Sequence, residues 1–106
     1  MSSVGLTGGH VMDCAPGTEE ILRAIEESTE LPIRLRISPM CPPDSGEDVW
    51  ESIARAQGTG GRRWHVEGVK FMLDGTVDNG TAWLSEPDHY GESTDSIWND
   101  TSLYRA

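Results

Sequence analysis

Lys70 stands in the most apolar stretch of the chain, GVKFMLDGTVDNGTAWL at residues 68–84. Val69, Phe71 and Leu73 alternate around it as one face of a strand. A lysine so placed can pack its stem among apolar neighbours and carry its amine to the strand end. Asp74, just after it, can orient a substrate, although Asp-Gly following a strand is also turn chemistry. Asn79, Thr81 and Trp83 can line a pocket above a sheet, and Trp83 can equally serve as an apolar cover for its loop. His10, Cys14 and Cys41 fall near the ends of two expected strands, where they could bind a soft metal. Their spacing matches no zinc signature, and the plain reading of the two cysteines is reduced, partly buried thiols. His65 precedes a strand and His89 lies in an acidic loop, so both read as surface residues.

The elements that must position these groups follow from periodicity. Residues 8–14 read as a short buried strand around Val11 and Met12. Ala15-Pro16-Gly17 is a turn, and Thr18 can cap a helix with Glu19 and Glu20 in its first turn. Ile21, Leu22 and Ile25 have helical spacing, which puts Glu26, Glu27 and Glu30 on the wet side. That helix should end near Ser28, before Pro32. IRLRISPM, residues 33–40, alternates into a second strand with one apolar and one mixed face. Ser45 and Asp48 are spaced as a capping-box variant for a second helix. It carries Val49, Trp50, Ile53 and Ala54 on one face and stops at Gly58. The glycines of GTGGRRW follow a helix and precede a strand, the reverse of a phosphate-cradling loop, so this is a flexible connection. A third strand is expected from Trp64 to Leu73.

Residues 75–100 change character. The stretch 85–100 has five acids, no Lys or Arg and no period, and is expected to be an irregular or flexible loop. Asp100 then caps a short helical start in TSLYRA. The whole, residues 1–106, reads as a single partial α/β domain: a βαβαβ run favouring a parallel sheet. His10, Asp13, Cys14, Met40, Cys41, Lys70, Met72 and Asp74 would gather at its C-terminal edge, where α/β proteins bind ligands.

Composition narrows the function classes. A net charge of −10 argues against binding a phosphate backbone, and the only cations adjacent in sequence are Arg62 and Arg63. No apolar run approaches the length of a bilayer span, and the start lacks the pattern of a signal peptide, so the expected place is the cytoplasm. Neither nucleic acid nor membrane is an expected partner.

The string GVKFMLDGTVDNGTAWL, followed by SEPD, resembles the central part of amidohydrolase family 3 in the amidohydrolase superfamily, the N-substituted formamide deformylase-like enzymes. The likeness runs back through GRRWHVEGVKF, ELPIRLRISP and LTGGHVMD and forward to WNDTSLYRA, nearly the whole chain. It implies an internal fragment of a TIM-type (β/α)8 barrel from a metal-dependent hydrolase acting on amide-like C–N bonds. It also implies that Lys70 is the family's lysine, carboxylated on its amine to bridge two divalent metals, zinc first among them. Metal-bound water would then be the nucleophile. The family's remaining ligands do not appear: there is no His-x-His pair, no later histidine-bearing strand and no catalytic aspartate string. Zinc hydrolases use about three protein ligands, and the resemblance supplies one.

Two expectations result. One is a truncated or fragmentary amidohydrolase, inactive as this chain alone, that takes a small amide substrate only when the missing barrel completes it. The other is a non-catalytic α/β remnant or interaction module. Three strands from an opened barrel should leave two exposed edges and a bare apolar face, so the chain is expected to form homo-oligomers edge to edge or by swapped elements.

Overall fold

Alternation in three short segments produces the sheet. The computed structural model describes residues 2–103. In order it contains β1 (Gly8–Cys14), α1 (Thr18–Ser28), β2 (Arg34–Cys41), α2 (Glu47–Ala56), β3 (Trp64–Val66) and β4 (Lys70–Phe71), with 3-10 turns at Ser2–Val4 and Val77–Asn79. These residues divide into two compact units. The first holds the chain up to Met40 and Glu47–Lys70; the second holds Cys41–Gly46 and the chain from Phe71 onward.

In the first unit β1 and β3 both run parallel to β2, giving the order β1-β2-β3. His10 lies opposite Arg36 and Arg36 opposite His65; Val11 lies opposite Ile37 and Ile37 opposite Val66. Because neighbouring residues on a strand point to opposite faces, this register sorts the side chains into two layers. Leu35, Ile37, Trp64 and Val66 share one face and pack with Leu22 and Ile25 of α1 and Ala56 of α2. Ile37, Trp64 and Val66 are almost fully buried, and burial of each such side chain contributes about 1.5–3 kcal/mol. Both helices therefore cover the same side of the sheet.

The other face differs from expectation. It is not an apolar patch: it carries His10, Arg34, Arg36, His65 and Glu67, all exposed. Nor is β1 a buried strand. Only Cys14 is buried in it, because β1 is the outer strand and pairs on one side alone.

The opposite edge is closed by the chain itself. Gly58 N–H donates to the Val66 carbonyl at 3.0 Å, Val66 N–H to Thr59 at 2.8 Å and Gly61 N–H to Trp64 at 2.9 Å. The GTGG segment thus folds back along β3 as an antiparallel cover rather than hanging as a flexible connection. One open sheet edge remains in this unit, not two.

The expected third strand is interrupted. β3 ends at Val66 and β4 starts at Lys70. Gly68 between them has φ +92°, a conformation that glycine adopts without a Cβ clash. Gln57, just past α2, clamps this kink: its Oε1 accepts the Gly68 N–H at 2.9 Å and its Nε2 donates to the Gly68 carbonyl at 3.0 Å.

The helices also correct the simple face assignments. Gly17 occupies the N-cap of α1, and the Thr18 hydroxyl instead donates to the Ala15 carbonyl at 2.8 Å. Ile21 is 62% exposed, whereas Glu26 is only 7% exposed. Glu26 is drawn inward because its carboxylate accepts the backbone N–H groups of Arg62 and Arg63, each at 2.8 Å. On α2, Val49, Trp50 and Ile53 are half-buried as spaced, but Ala56 packs on the core and Ala54 is exposed. Ser45 makes no capping box; its hydroxyl donates to the Pro42 carbonyl.

In the second unit, the turn Thr76–Thr81 closes through Gly75 N–H to the Thr81 carbonyl at 2.8 Å and Thr81 N–H to Thr76 at 3.1 Å. Trp98 is buried, donates its indole N–H to the Met72 carbonyl at 2.7 Å and stacks obliquely on Phe71. Between Gly75 and Asp100 the one regular element among the described residues is the 3-10 turn Val77–Asn79. Asp100 Oδ1 accepts the Ser102 N–H at 2.9 Å, a cap on the turn that follows. The rest of the expected terminal helix start, from Tyr104, lies outside the described residues.

Candidate functional site

Lys70 opens β4 and is half-buried. Its backbone pairs in the sheet, where β4 joins β2, and its amine has no hydrogen bond or ion pair among the described residues. Asp74, Asn79, Thr81 and Trp83 belong to the second unit. Asp74 Oδ2 accepts the Trp83 N–H at 2.8 Å, which pins the two ends of the polar loop to each other. Asn79 Nδ2 donates to Thr76 Oγ1 at 2.9 Å, and Thr81 Oγ1 accepts the Thr76 N–H at 3.1 Å. The polar groups of Asn79 and Thr81 thus converge on Thr76 and build the turn. Trp83 is 45% exposed.

His10 Nε2 lies 2.8 Å from Ser38 Oγ, and the Ser38 hydroxyl also reaches the Glu67 carbonyl at 3.2 Å. Cys14 and Cys41 are buried free thiols. Among the described residues, no group of three or more His, Cys, Asp and Glu is arranged to hold a metal ion. A bridging carbamate on Lys70 would need such partners beside it.

Sequence adjacency concealed a different constellation. An open hollow of about 580 Å³ lies in the first unit at the start of the three parallel strands. Its wall contains His10 from β1, Arg34 and Arg36 from β2, Arg62 and Arg63 from the approach to β3, and His65 from β3. Four of the eight Lys and Arg residues and two of the three histidines of this acidic chain meet here. Arg62 and Arg63 are thus only half of the arginine cluster. The sign that could have revealed it is parity: His10, Arg34, Arg36 and His65 all take the non-core positions of their strands.

These cations are not equally engaged. The Arg62 guanidinium donates to the Glu26 and Thr29 carbonyls, closing the end of α1. Arg63 Nε pairs with Glu30 at 2.8 Å. Arg36 Nε lies 3.3 Å from Glu67, and His65 Nε2 lies 3.1 Å from the same oxygen. The His65 hydrogen bond first, and the Arg36 charge second, hold the Glu67 carboxyl below the usual glutamate range. This trio is mostly exposed, so it contributes little to stability. Arg34 is exposed and has no acidic partner among the described residues.

Across the described residues, no helix is long and apolar enough to cross a membrane. Comparison with family models, curated proteins and solved structures finds no match.

Proposed function

We propose that the chain is one arc of a metal-dependent amidohydrolase barrel, inactive alone, whose completed form hydrolyses amide-like C–N bonds of small molecules. The supporting observation is the winding of the first unit. Its parallel strands follow one another in chain order and both helices cover the same face. A (β/α)8 barrel repeats that arrangement, whereas a doubly wound sheet places helices on both faces. In this reading the polar face of β1-β2-β3 points to the barrel interior, and Lys70, with the sequence around it, is the element that carries the resemblance to amidohydrolase family 3. Metal ligands other than Lys70 must come from outside this stretch, and no catalytic step can be assigned to these residues alone. The test is to read the coding DNA on both sides of the stretch. A His-x-His strand before it and histidine-bearing strands after it support the proposal; an open reading frame without them sinks it. In the extended protein, Lys70→Ala should remove bound divalent metal and turnover of N-formyl amides together.

A second reading rests on the open edge of β1. β1 pairs with β2 alone, through five residues with a register shift between Val11 and Cys14, and the edge carries neither lysine nor proline to block another strand. It makes the chain a self-associating module, with a second copy adding to β1. Sedimentation at increasing concentration distinguishes it: a monomer throughout the high-micromolar range rules it out.

A further inference from the structure

We propose that the arginine-lined hollow at the start of β1, β2 and β3 is a binding site for a phosphate group carried on a small organic molecule. The inference stands apart from the barrel reading, since all its residues belong to the first unit.

Charge is the first argument. The chain carries −10 overall, yet this hollow concentrates four arginines and two histidines. Like charges brought this close repel one another, and an anion between them removes that repulsion. The intramolecular carboxylates do so incompletely. Glu30 meets Arg63, Glu67 meets Arg36 and His65, and Glu26 lies by the Arg62 charge. Arg34 receives none among the described residues.

Position is the second argument. Arg34 and Arg36 project from the same face of β2, two positions apart, and Arg36 sits in register between His10 and His65. Glu67 already shows that this row accepts an oxyanion: one of its oxygens touches both Arg36 and His65. A guanidinium presents its donors in a planar fork that suits phosphate oxygens two at a time. Gly8, opposite Arg34, adds no side chain to the wall, and a Cβ there would stand 3.1 Å from the Arg34 carbonyl. The approach to Arg34 is thereby left open.

Size is the third argument. A volume near 580 Å³ falls in the range of small-molecule pockets and exceeds what a bare phosphate fills.

The experiment is a titration of the full chain followed by amide NMR, with inorganic phosphate and with β-glycerophosphate as separate probes at low salt. Saturable shifts confined to Gly8–His10, Arg34–Arg36 and Arg62–His65 are expected. Tighter binding of β-glycerophosphate is expected; equal binding of the two probes overturns the organic part of the proposal and leaves free phosphate as the ligand. Arg34→Ala should weaken binding by about tenfold or more, the loss typical of one charge-assisted hydrogen bond. Its far-UV spectrum should be unchanged because the Arg34 guanidinium holds no partner among the described residues. Arg55→Ala, on α2 outside the hollow, should leave binding unchanged. No saturation by about 10 mM of either probe, or equal weakening by Arg34→Ala and Arg55→Ala, overturns the proposal.

Discussion

Glu26 Oε2 accepts the backbone N–H of Arg62 at 2.8 Å, across 36 residues of chain. Its other oxygen takes the N–H of Arg63 at the same distance. One carboxylate near the end of α1 therefore satisfies two consecutive amides that lead into β3. An acid on a helix face has become the fastener between helix and sheet. Removing it leaves those amides without partners in a partly buried position. Glu26→Ala should lower the urea midpoint more than Glu26→Gln, whose carbonyl oxygen can still accept one N–H. Equal midpoints for the two variants and the parent would refute this role.

Acid should act through the same group. Burial pushes the Glu26 carboxyl up, but the N–H groups of Arg62 and Arg63, helped by the Arg62 charge, prevail and hold it below the usual range. A carboxyl lowered on folding adds stability that is complete above its ordinary value of about 4.3. That stability is lost as pH falls through the lowered folded value. Urea midpoints from pH 7 down to pH 3 should fall less steeply in Glu26→Gln than in the parent. Parallel curves would count against the assignment.

Two glycines should respond differently to alanine. At Gly61 an added Cβ would collide with Glu26 Oε2 and the Trp64 indole nitrogen. Gly61→Ala must therefore push the fastener apart, and its loss should approach that of Glu26→Ala. At Gly68 the added Cβ meets only Ser38 Oγ, at 3.4 Å. The penalty there is conformational, from φ +92°, and should be about 1–2 kcal/mol. Thermal unfolding of the two variants would show the reverse order if the close approach at Gly61 were unimportant.

The core of the first unit rests on a few large side chains. Trp64 is 2% exposed and packs within the cluster that includes Leu22, Ile37 and Val66. Trp64→Ala should destabilise by about 3–5 kcal/mol. Ile37→Ala, at the centre of β2, should cost about 2–5 kcal/mol. Chemical denaturation checks both; losses under 1 kcal/mol would mean that the cluster does not carry the unit.

Self-association through β1 has its own variant. Met12 is 45% exposed on this outer strand. Met12→Lys places on the edge the charge that natural edge strands use against pairing. Sedimentation velocity should show it shifted towards monomer relative to the parent at equal concentration. An unchanged distribution would move any self-association away from this edge.

Local spacing by itself determined the elements of the first unit: the strand beginning at Gly8, the helix ending at Ser28, the alternation of β2 and the helix before Gly58. These follow from periodicity and turn residues, which act over a few neighbours. Tertiary structure decided what each residue does there. Glu26 reads as a wet helix position, yet two amides 36 and 37 residues away draw it inward. GTGG reads as slack chain, yet it closes the edge of β3 because Val66 and Trp64 have backbone groups to satisfy on that side. The stretch from Trp64 to Leu73 reads as one strand, and the Gln57 amide breaks it at Gly68. The arginine cluster was present in the composition but not in any short motif. Register between strands brings His10, Arg36 and His65 into one row, and register is a property of the paired chain rather than of any segment.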